Sequence, residues 1–337
     1  MSGLPDGRGP DDPAPRVSVA ISTWNRAHLV GRAIRSALAQ TFEDFELLVV
    51  DDGSTDATPE VLAGVNDGRL RRVRHERNHG ISRTRNTSLG LARGEWLAFL
   101  DDDNEWAPDY LERQLAFAAS RPGAGVAYCR VRQRSALSGA EVELVELKQG
   151  KVFCDLVEGW NPIVSSALIR RSVILEAGGV DERLRATEDR DLWMRLAQRT
   201  EFAGTSDVLL VCHERHGPQL SRNPDFLARD AAILAGKWRD AVTAACGHRA
   251  YRRWQLWLVS NAERCRVERA AEQGGGERLP AVRSAGRLLR LLPWSAPHVA
   301  EALGRALLGS RRLEWVSRRL DWYGYRVRKA LGLPAAR

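Results

Sequence analysis

No stretch of this 337-residue chain approaches the roughly 20 consecutive apolar residues that a bilayer-spanning helix needs. The N-terminal segment, Met1 to Pro15, is rich in Gly, Pro and Asp and holds no apolar run of the signal-peptide kind, so residues 1–15 read as a disordered lead-in. The five cysteines (Cys129, Cys154, Cys212, Cys246, Cys265) are odd in number, widely spaced and free of any CxxC pair. That pattern argues against a zinc site and a disulfide framework, and fits a reduced, cytoplasmic protein with buried thiols. No GxGxxG follows the first apolar run, which excludes a dinucleotide fingerprint, and no GxxxxGK motif exists to form a phosphate-cradling P-loop.

What is present is a foldable but asymmetric chain. Hydrophobic residues make up 44% of it, enough for a sizeable core. The formal charge is +8, yet residues 225–337 hold 22 Lys+Arg against 10 Asp+Glu, leaving residues 1–224 mildly acidic. A basic appendage therefore follows an acidic body. This weakens the nucleic-acid reading that the overall charge would otherwise suggest.

From Arg16 onward strand and helix patterns alternate. Apolar strand-like runs lie at Val17–Ser22, Phe45–Val50, Leu70–His75, Trp96–Leu100 and Val126–Val131. Helical spacing lies between them at His28–Gln40, from Ala57, at Ser82–Ala92 and at Tyr110–Ala119. Further strands are expected at Ile163–Ile169 and Asp207–Cys212. The alternation predicts an α/β layer fold with a largely parallel sheet.

Three of these strands end in polar clusters: Thr23-Trp24-Asn25-Arg26, Asp51-Asp52-Gly53-Ser54-Thr55-Asp56 and Asp101-Asp102-Asp103-Asn104. Open α/β sheets bind ligands beyond the carboxyl ends of their strands, where these clusters fall. Carboxylates repel a diphosphate directly, but they can hold a hard divalent cation, Mg²⁺ or Mn²⁺, that in turn holds the phosphates. Asp101 and Asp103 alternate with Asp102, so one carboxylate can face a metal while a neighbour meets a ribose hydroxyl. Asp51 or Asp52 is a candidate to hydrogen-bond a base or ribose.

The segment from Val17 to about Ser221 resembles a family 2 glycosyltransferase. The motifs that carry the resemblance are VAISTWNR, QTFEDFELLVVDDGSTD, ISRTRNTSLGLARGEWLAFLDDDNEW and GGVDERLRATEDRDLWMRL, in that order. Two departures are visible: Trp24 stands where the family commonly has Tyr, and three acids run together where a small residue commonly separates two. The resemblance implies a GT-A fold: a Rossmann-like, mostly parallel central sheet flanked by helices, here over residues 16–224, with a helical region at 225–337. It also implies an inverting transferase that uses a nucleoside-diphosphate sugar, UDP by expectation.

Carried over residue by residue, the resemblance places Ser22, Trp24, Asn25 and Arg26 at the nucleotide, with Trp24 stacking on the base. Asp52, with Asp51 behind it, meets the base or ribose. Arg85 faces the diphosphate, with Arg83 as competitor and Asn86 beside it. Asp102 meets the ribose, and Asp103, or Asp101 in the neighbouring register, ligates the metal. Asp189 is the expected general base, with Asp191 and Glu188 as alternatives. His216 is a candidate metal ligand or diphosphate contact, with Arg215 beside it and His213 a weaker candidate. Trp160 and Asn161 are candidates for lining the acceptor pocket. The acceptor is the hydroxyl of a glycan, a lipid-linked sugar or a metabolite.

Residues 225–337 read as helical, with breaks at Gly274-Gly275-Gly276, Pro293, Pro297 and Pro334, and hold six of the eleven tryptophans. Within 281–337, apolar stripes run beside Arg-rich, Trp-bearing faces, a pattern suited to an anionic membrane surface. The bland alternative is a helical subdomain with a solvated Arg face. The competing function is a nucleic-acid- or membrane-binding scaffold on a catalytically silent domain. No recognisable nucleic-acid motif supports it. A cytoplasmic enzyme, peripheral at the inner membrane face, is the expected setting.

Overall fold

The computed structural model describes residues 13–134, 140–144, 146–213, 220–273 and 284. The chain divides into two compact units between residues 217 and 218, a little ahead of the sequence boundary at 224.

The first unit runs β1 (Val17–Thr23), α1 (Ala27–Leu38), β2 (Phe45–Asp51), α2 (Thr58–Ala63), β3 (Leu70–Arg74), α3 (Ile81–Leu91), β4 (Trp96–Asp101), β5 (Asn104–Trp106) and α4 (Tyr110–Ala119). It continues with β6 (Ala124–Arg134), β7 (Glu141–Leu144), α5 (Phe153–Val157), a 3-10 turn (Val164–Ser166), β8 (Ala167–Arg170), α6 (Arg171–Glu176), α7 (Glu188–Ala197) and β9 (Glu201–His213). β2 is buried at every position, as expected of a central parallel strand covered on both faces. α1 lays Val30, Ala33, Ile34 and Ala37 inward at the three-four spacing of a one-sided helix.

Among the described residues nine strands form one sheet in the order β3-β2-β1-β4-β8-β6-β9-β5, with β7 paired to β6. β3, β2, β1 and β4 are mutually parallel, β8 is antiparallel to both β4 and β6, and β9 is parallel to β6. β3, β2, β1, β4, β6 and β9 therefore run one way, while β5, β7 and β8 run the other. The mostly parallel sheet expected from the alternation is present. It carries two features that periodicity missed. The expected strand at Ile163–Ile169 begins as the 3-10 turn and is only four residues of strand thereafter. The short β5, set antiparallel against β9 with Asn104 opposite Cys212, draws the Asp-rich loop back onto the sheet.

Register fixes the site. Ser22 of β1 lies opposite Val50 on one side and Asp101 on the other, and Thr23 lies opposite Asp51. All three polar clusters thus leave the sheet at one level of one edge. Beneath them Val19, Ile21, Leu47, Val49, Ala98 and Leu100 are closed from solvent, and Trp106 stacks on Tyr110 with ring centroids 4.1 Å apart.

The second unit contains α8 (Pro224–Cys246) and α9 (His248–Gln273). The side chain of Asn223 caps α8 by accepting from the backbone N–H groups of Asp225 and Phe226, and Pro224 occupies the first turn. Gly247, with φ +89°, breaks the chain between the helices. Leu234, Trp238 and Val242 of α8, and Tyr251, Trp254 and Leu258 of α9, are buried. Tyr251 donates its hydroxyl to the Ala235 carbonyl at 3.1 Å. The expected membrane-binding stretch at 281–337 lies, apart from residue 284, outside the described residues. Among the described residues, no helix is long and apolar enough to cross a membrane. Cys129 and Cys212 are free thiols, and burial raises both well above the usual thiol range, Cys129 to about 12.

Candidate active site

The loop after β1 and the loop after β2 lock together. Asn25 sits in the left-handed region at φ +53°, a conformation Asn tolerates better than most residues. Its side-chain oxygen accepts from the backbone N–H of Thr55 at 2.7 Å and of Asp56 at 3.3 Å, while its own N–H donates to the Ser54 hydroxyl at 2.8 Å. Asn25 therefore braces the loop pair internally. Trp24 beside it is 48% exposed, with its ring unclaimed by the core, and Ser22 is half-buried.

The two neighbouring aspartates after β2 are treated differently. Asp52 is filled from within the protein: both of its oxygens accept from the His79 N–H at 3.0 Å, one also from the Gly80 N–H at 2.7 Å, and the other meets His75 Nδ1 at 2.7 Å. Asp51 accepts from the Ser54 N–H with Oδ1, whereas its buried Oδ2 has no hydrogen-bond partner and only an Arg74 ion pair at 3.4 Å. Gly53 makes this geometry possible. Its φ is +73°, and a Cβ there would stand 2.6 Å from the backbone of Arg77.

The third cluster is braced by β1 and α1. Asp102 accepts from the Thr23 hydroxyl at 2.8 Å and from Arg26 at 3.1 Å, and Arg26 also donates to Asp103 at 2.9 Å. Arg32 holds the Asp103 carbonyl at 2.8 Å. Burial pushes the Asp102 carboxyl up to about 7; the Arg26 charge opposes this, and the Asp103 charge reinforces it. From below, the buried Ser165 hydroxyl accepts from the Asp101 N–H and from the Asn104 amide, both at 3.0 Å, and its carbonyl accepts from the Trp106 indole at 2.7 Å.

The N-terminus of α7 reaches this cluster through one side chain. Arg85 of α3, only 5% exposed, donates to Asp101 at 2.9 Å and to Glu188 at 2.7 Å. Burial pushes Glu188 up to about 7, opposed by Arg85 and reinforced by Asp189. Asp189 accepts from the Arg190 N–H at 2.7 Å and from the Asn161 amide at 3.2 Å. Asp191 is fully buried and paired with Arg195 at 2.8 Å; Arg195 in turn grips the Ala177 and Gly179 carbonyls. The Asn86 amide exchanges hydrogen bonds with the backbone of Val180, and the exposed Arg83 pairs with Glu182.

The structure thus brings Asp101, Asp102, Asp103, Arg26, Arg85, Glu188 and Asp189 into one connected network. Asp191 belongs to an inward ion pair and Asp52 to a loop brace. His213 meets Glu105 at 3.3 Å, and His216 and Arg215 lie outside the described residues. His75 and Ser165 escaped the sequence reading. Nothing in the run His75-Glu76-Arg77-Asn78-His79-Gly80 signals a brace for Asp52, and Ser165 sat inside an expected strand. Trp160 packs near Tyr128, with ring centroids 5.4 Å apart.

Among the described residues no three His, Cys, Asp or Glu side chains converge as a complete metal cage. The donor set nevertheless fits a hard cation of the Mg²⁺ or Mn²⁺ type, which takes one or two carboxylates and completes its shell with substrate phosphates and water. Asp101 has one oxygen on Arg85, and the other has only a 3.5 Å contact to Asn104.

A curled, mostly parallel sheet flanked by helices, with acidic strand ends along one edge, is the GT-A architecture. Residues 18–175 match the family model of glycosyl transferase family 2. It is 39% identical over 143 residues to the succinoglycan biosynthesis protein ExoO of Rhizobium meliloti, an alignment that spans 41% of each chain. The chain thus spans about two fifths of that relative's length. Two solved structures share the fold. S. aureus TarS 1–349 in complex with UDP-GlcNAc has a TM-score of 0.59 and 18% identity, over 95% of this chain and 93% of that one. The mannosyltransferase PcManGT from Pyrobaculum calidifontis, in complex with GDP-Man and Mn²⁺, has a TM-score of 0.53 and 20% identity, over 91% of this chain and 89% of that one.

Proposed function

We propose that the protein is an inverting glycosyltransferase that moves a sugar from a nucleoside-diphosphate donor, UDP-linked in the first instance, to a hydroxyl of a glycan or lipid-linked saccharide. The observation that carries this reading is the gathering of the three strand-end clusters at one sheet edge, the third of them joined to the N-terminus of α7 through the guanidinium of Arg85. The relatives support the donor class: TarS is described with UDP-GlcNAc and PcManGT with GDP-Man and Mn²⁺. ExoO, named for succinoglycan biosynthesis, supports a polysaccharide acceptor over a small metabolite.

In this reading Trp24 offers a face for the base, and Oδ2 of Asp51, which holds only the Arg74 ion pair, accepts from base or ribose. Asp52 keeps the loop in shape. Asp103 and Asp101 would hold a divalent cation, which would supply positive charge against the diphosphate. Asp189 takes the proton from the acceptor hydroxyl as its oxygen attacks the anomeric carbon. The bond from that carbon to the diphosphate oxygen breaks, its electron pair leaves with the nucleoside diphosphate, and the configuration inverts. Arg85 holds Asp101 and Glu188 in place, so its role is to fix the distance between donor and base elements.

The test is a donor screen with UDP-glucose, UDP-GlcNAc and GDP-mannose, with and without Mn²⁺, read by nucleoside-diphosphate release. Release that requires Mn²⁺ and stops in D103A supports the proposal. Failure to bind or turn over any of the three, with metal present, would sink it.

A further inference from the structure

The loop Trp160-Asn161-Pro162 is fastened to one face of α7 at two points. The Trp193 indole donates to the Pro162 carbonyl at 3.0 Å, and the Asn161 amide donates to Asp189 Oδ2 at 3.2 Å. Asp189 and Trp193 are four residues apart and so share that face. The first attachment is a buried structural bond. The second ends on the carboxylate read above as the base.

The two ends of the Asn161 amide are treated unequally. Its nitrogen meets Asp189, while its buried Oδ1 has no hydrogen-bond partner. A purely structural asparagine is oriented to satisfy both ends, because a buried unpaired carbonyl is costly. Reversing this amide would set a carbonyl against a carboxylate, two acceptors face to face. The orientation is therefore dictated by Asp189. With Oδ1 of Asp189 taken by the Arg190 N–H and Oδ2 by Asn161, the carboxylate is held in one rotamer by two donors.

We infer that Asn161 is a positioning residue for catalysis: its amide N–H orients the Asp189 carboxylate and stabilises its charge. This rests on the reading of Asp189 as general base. The charged groups around Asp189 are Arg85 of α3 and Glu188 and Arg190 of α7 itself. Asn161 is the neutral donor among them and comes from a different segment of the chain.

The experiment compares wild type, N161D, N161A and D189N. It follows release of nucleoside diphosphate to water from whichever of UDP-glucose, UDP-GlcNAc and GDP-mannose the enzyme turns over, across pH 5–9, and measures UDP binding by calorimetry. N161D is nearly isosteric but places a like charge against the base, so the acid limb of its rate–pH profile should move up by about one pH unit. N161A should lose about tenfold in kcat and move in the same direction by less, since one charge-assisted hydrogen bond is removed. UDP affinity should stay at the wild-type value in both. Superimposable pH profiles would overturn the inference, as would loss of UDP binding in parallel with rate, which marks a merely structural residue. If D189N is inactive while both Asn161 variants match wild type, only the inference on Asn161 fails. If D189N keeps full activity, the base reading fails and the inference falls with it.

Discussion

Arg85 donates to Glu188 at 2.7 Å from a position closed to solvent, and the same guanidinium holds Asp101 at 2.9 Å. α3, the end of β4 and the start of α7 are separated in sequence by up to 103 residues, yet they meet at this one cation. Desolvating two carboxylates and a guanidinium is costly and is offset only when the geometry is good. The network therefore sets the spacing between the Asp-rich loop and the helix that carries Asp189 more than it adds net stability.

Arg85→Leu should accordingly destabilise the protein by about 3–5 kcal/mol at pH 8, because it strands Glu188 and Asp101 without their cation. The sign of the pH dependence follows from Glu188. Burial already raises this acid from 4.5 to about 7 in the folded state. Between those values the native state binds more protons than the unfolded chain, so its contribution to stability falls as pH rises. Losing Arg85 removes the charge that favours ionisation and raises Glu188 further. The deficit of the variant should shrink toward pH 5, where Glu188 is protonated. Urea unfolding of wild type and variant at pH 5 and pH 8 checks this, and a deficit independent of pH would contradict it.

The adjacent aspartates after β2 should separate by phenotype. Asp52→Asn leaves the His79 and Gly80 N–H groups without one of their charged acceptors and should cost about 1–3 kcal/mol of stability. Asp51→Asn sits where one oxygen lacks a hydrogen bond. It should leave the melting temperature nearly unchanged and weaken UDP binding about tenfold or more, the value of a hydrogen bond to a charged group. Thermal unfolding and UDP titration of the two variants decide it; the reverse pattern would hand the nucleotide role to Asp52.

Much of this was legible in the sequence because parallel strands buried on both faces announce themselves as apolar runs. Val17–Ser22, Phe45–Val50 and Trp96–Leu100 were each within one residue of the observed strands, and register then aligned their polar ends. The antiparallel additions were harder. β5 is three residues long and made of Asn, Glu and Trp, and it exists because β9 supplies its hydrogen bonds. The same holds at the site. Asp51, Asp101 and Asp189 are visible as acids in motifs, but which aspartate of a pair faces outward depends on partners such as His75, Arg195 and Asn161, far away in the chain. Local pattern carries no record of those contacts.

Asp189 and Asp191 pose that question most sharply, since they are two residues apart near the start of one helix. Asp191 is fully buried, and its carboxylate is committed to Arg195, which also ties down the Ala177 and Gly179 carbonyls. Asp189 is only partly buried and is held by a neutral amide and a backbone N–H. Asp191→Asn should therefore act on the fold, at about 3–5 kcal/mol for a buried cation left without its partner. Its rate per folded molecule should stay within a few-fold of wild type. Asp189→Asn should melt with wild type and bind UDP with the same affinity, yet lose about 10²–10⁴ in the transfer rate, the range a general base contributes. Calorimetric melting, UDP titration and nucleotide release on the same two preparations separate the roles. A stable, UDP-binding D191N that is inactive, beside an active D189N, would move the base two residues along the helix.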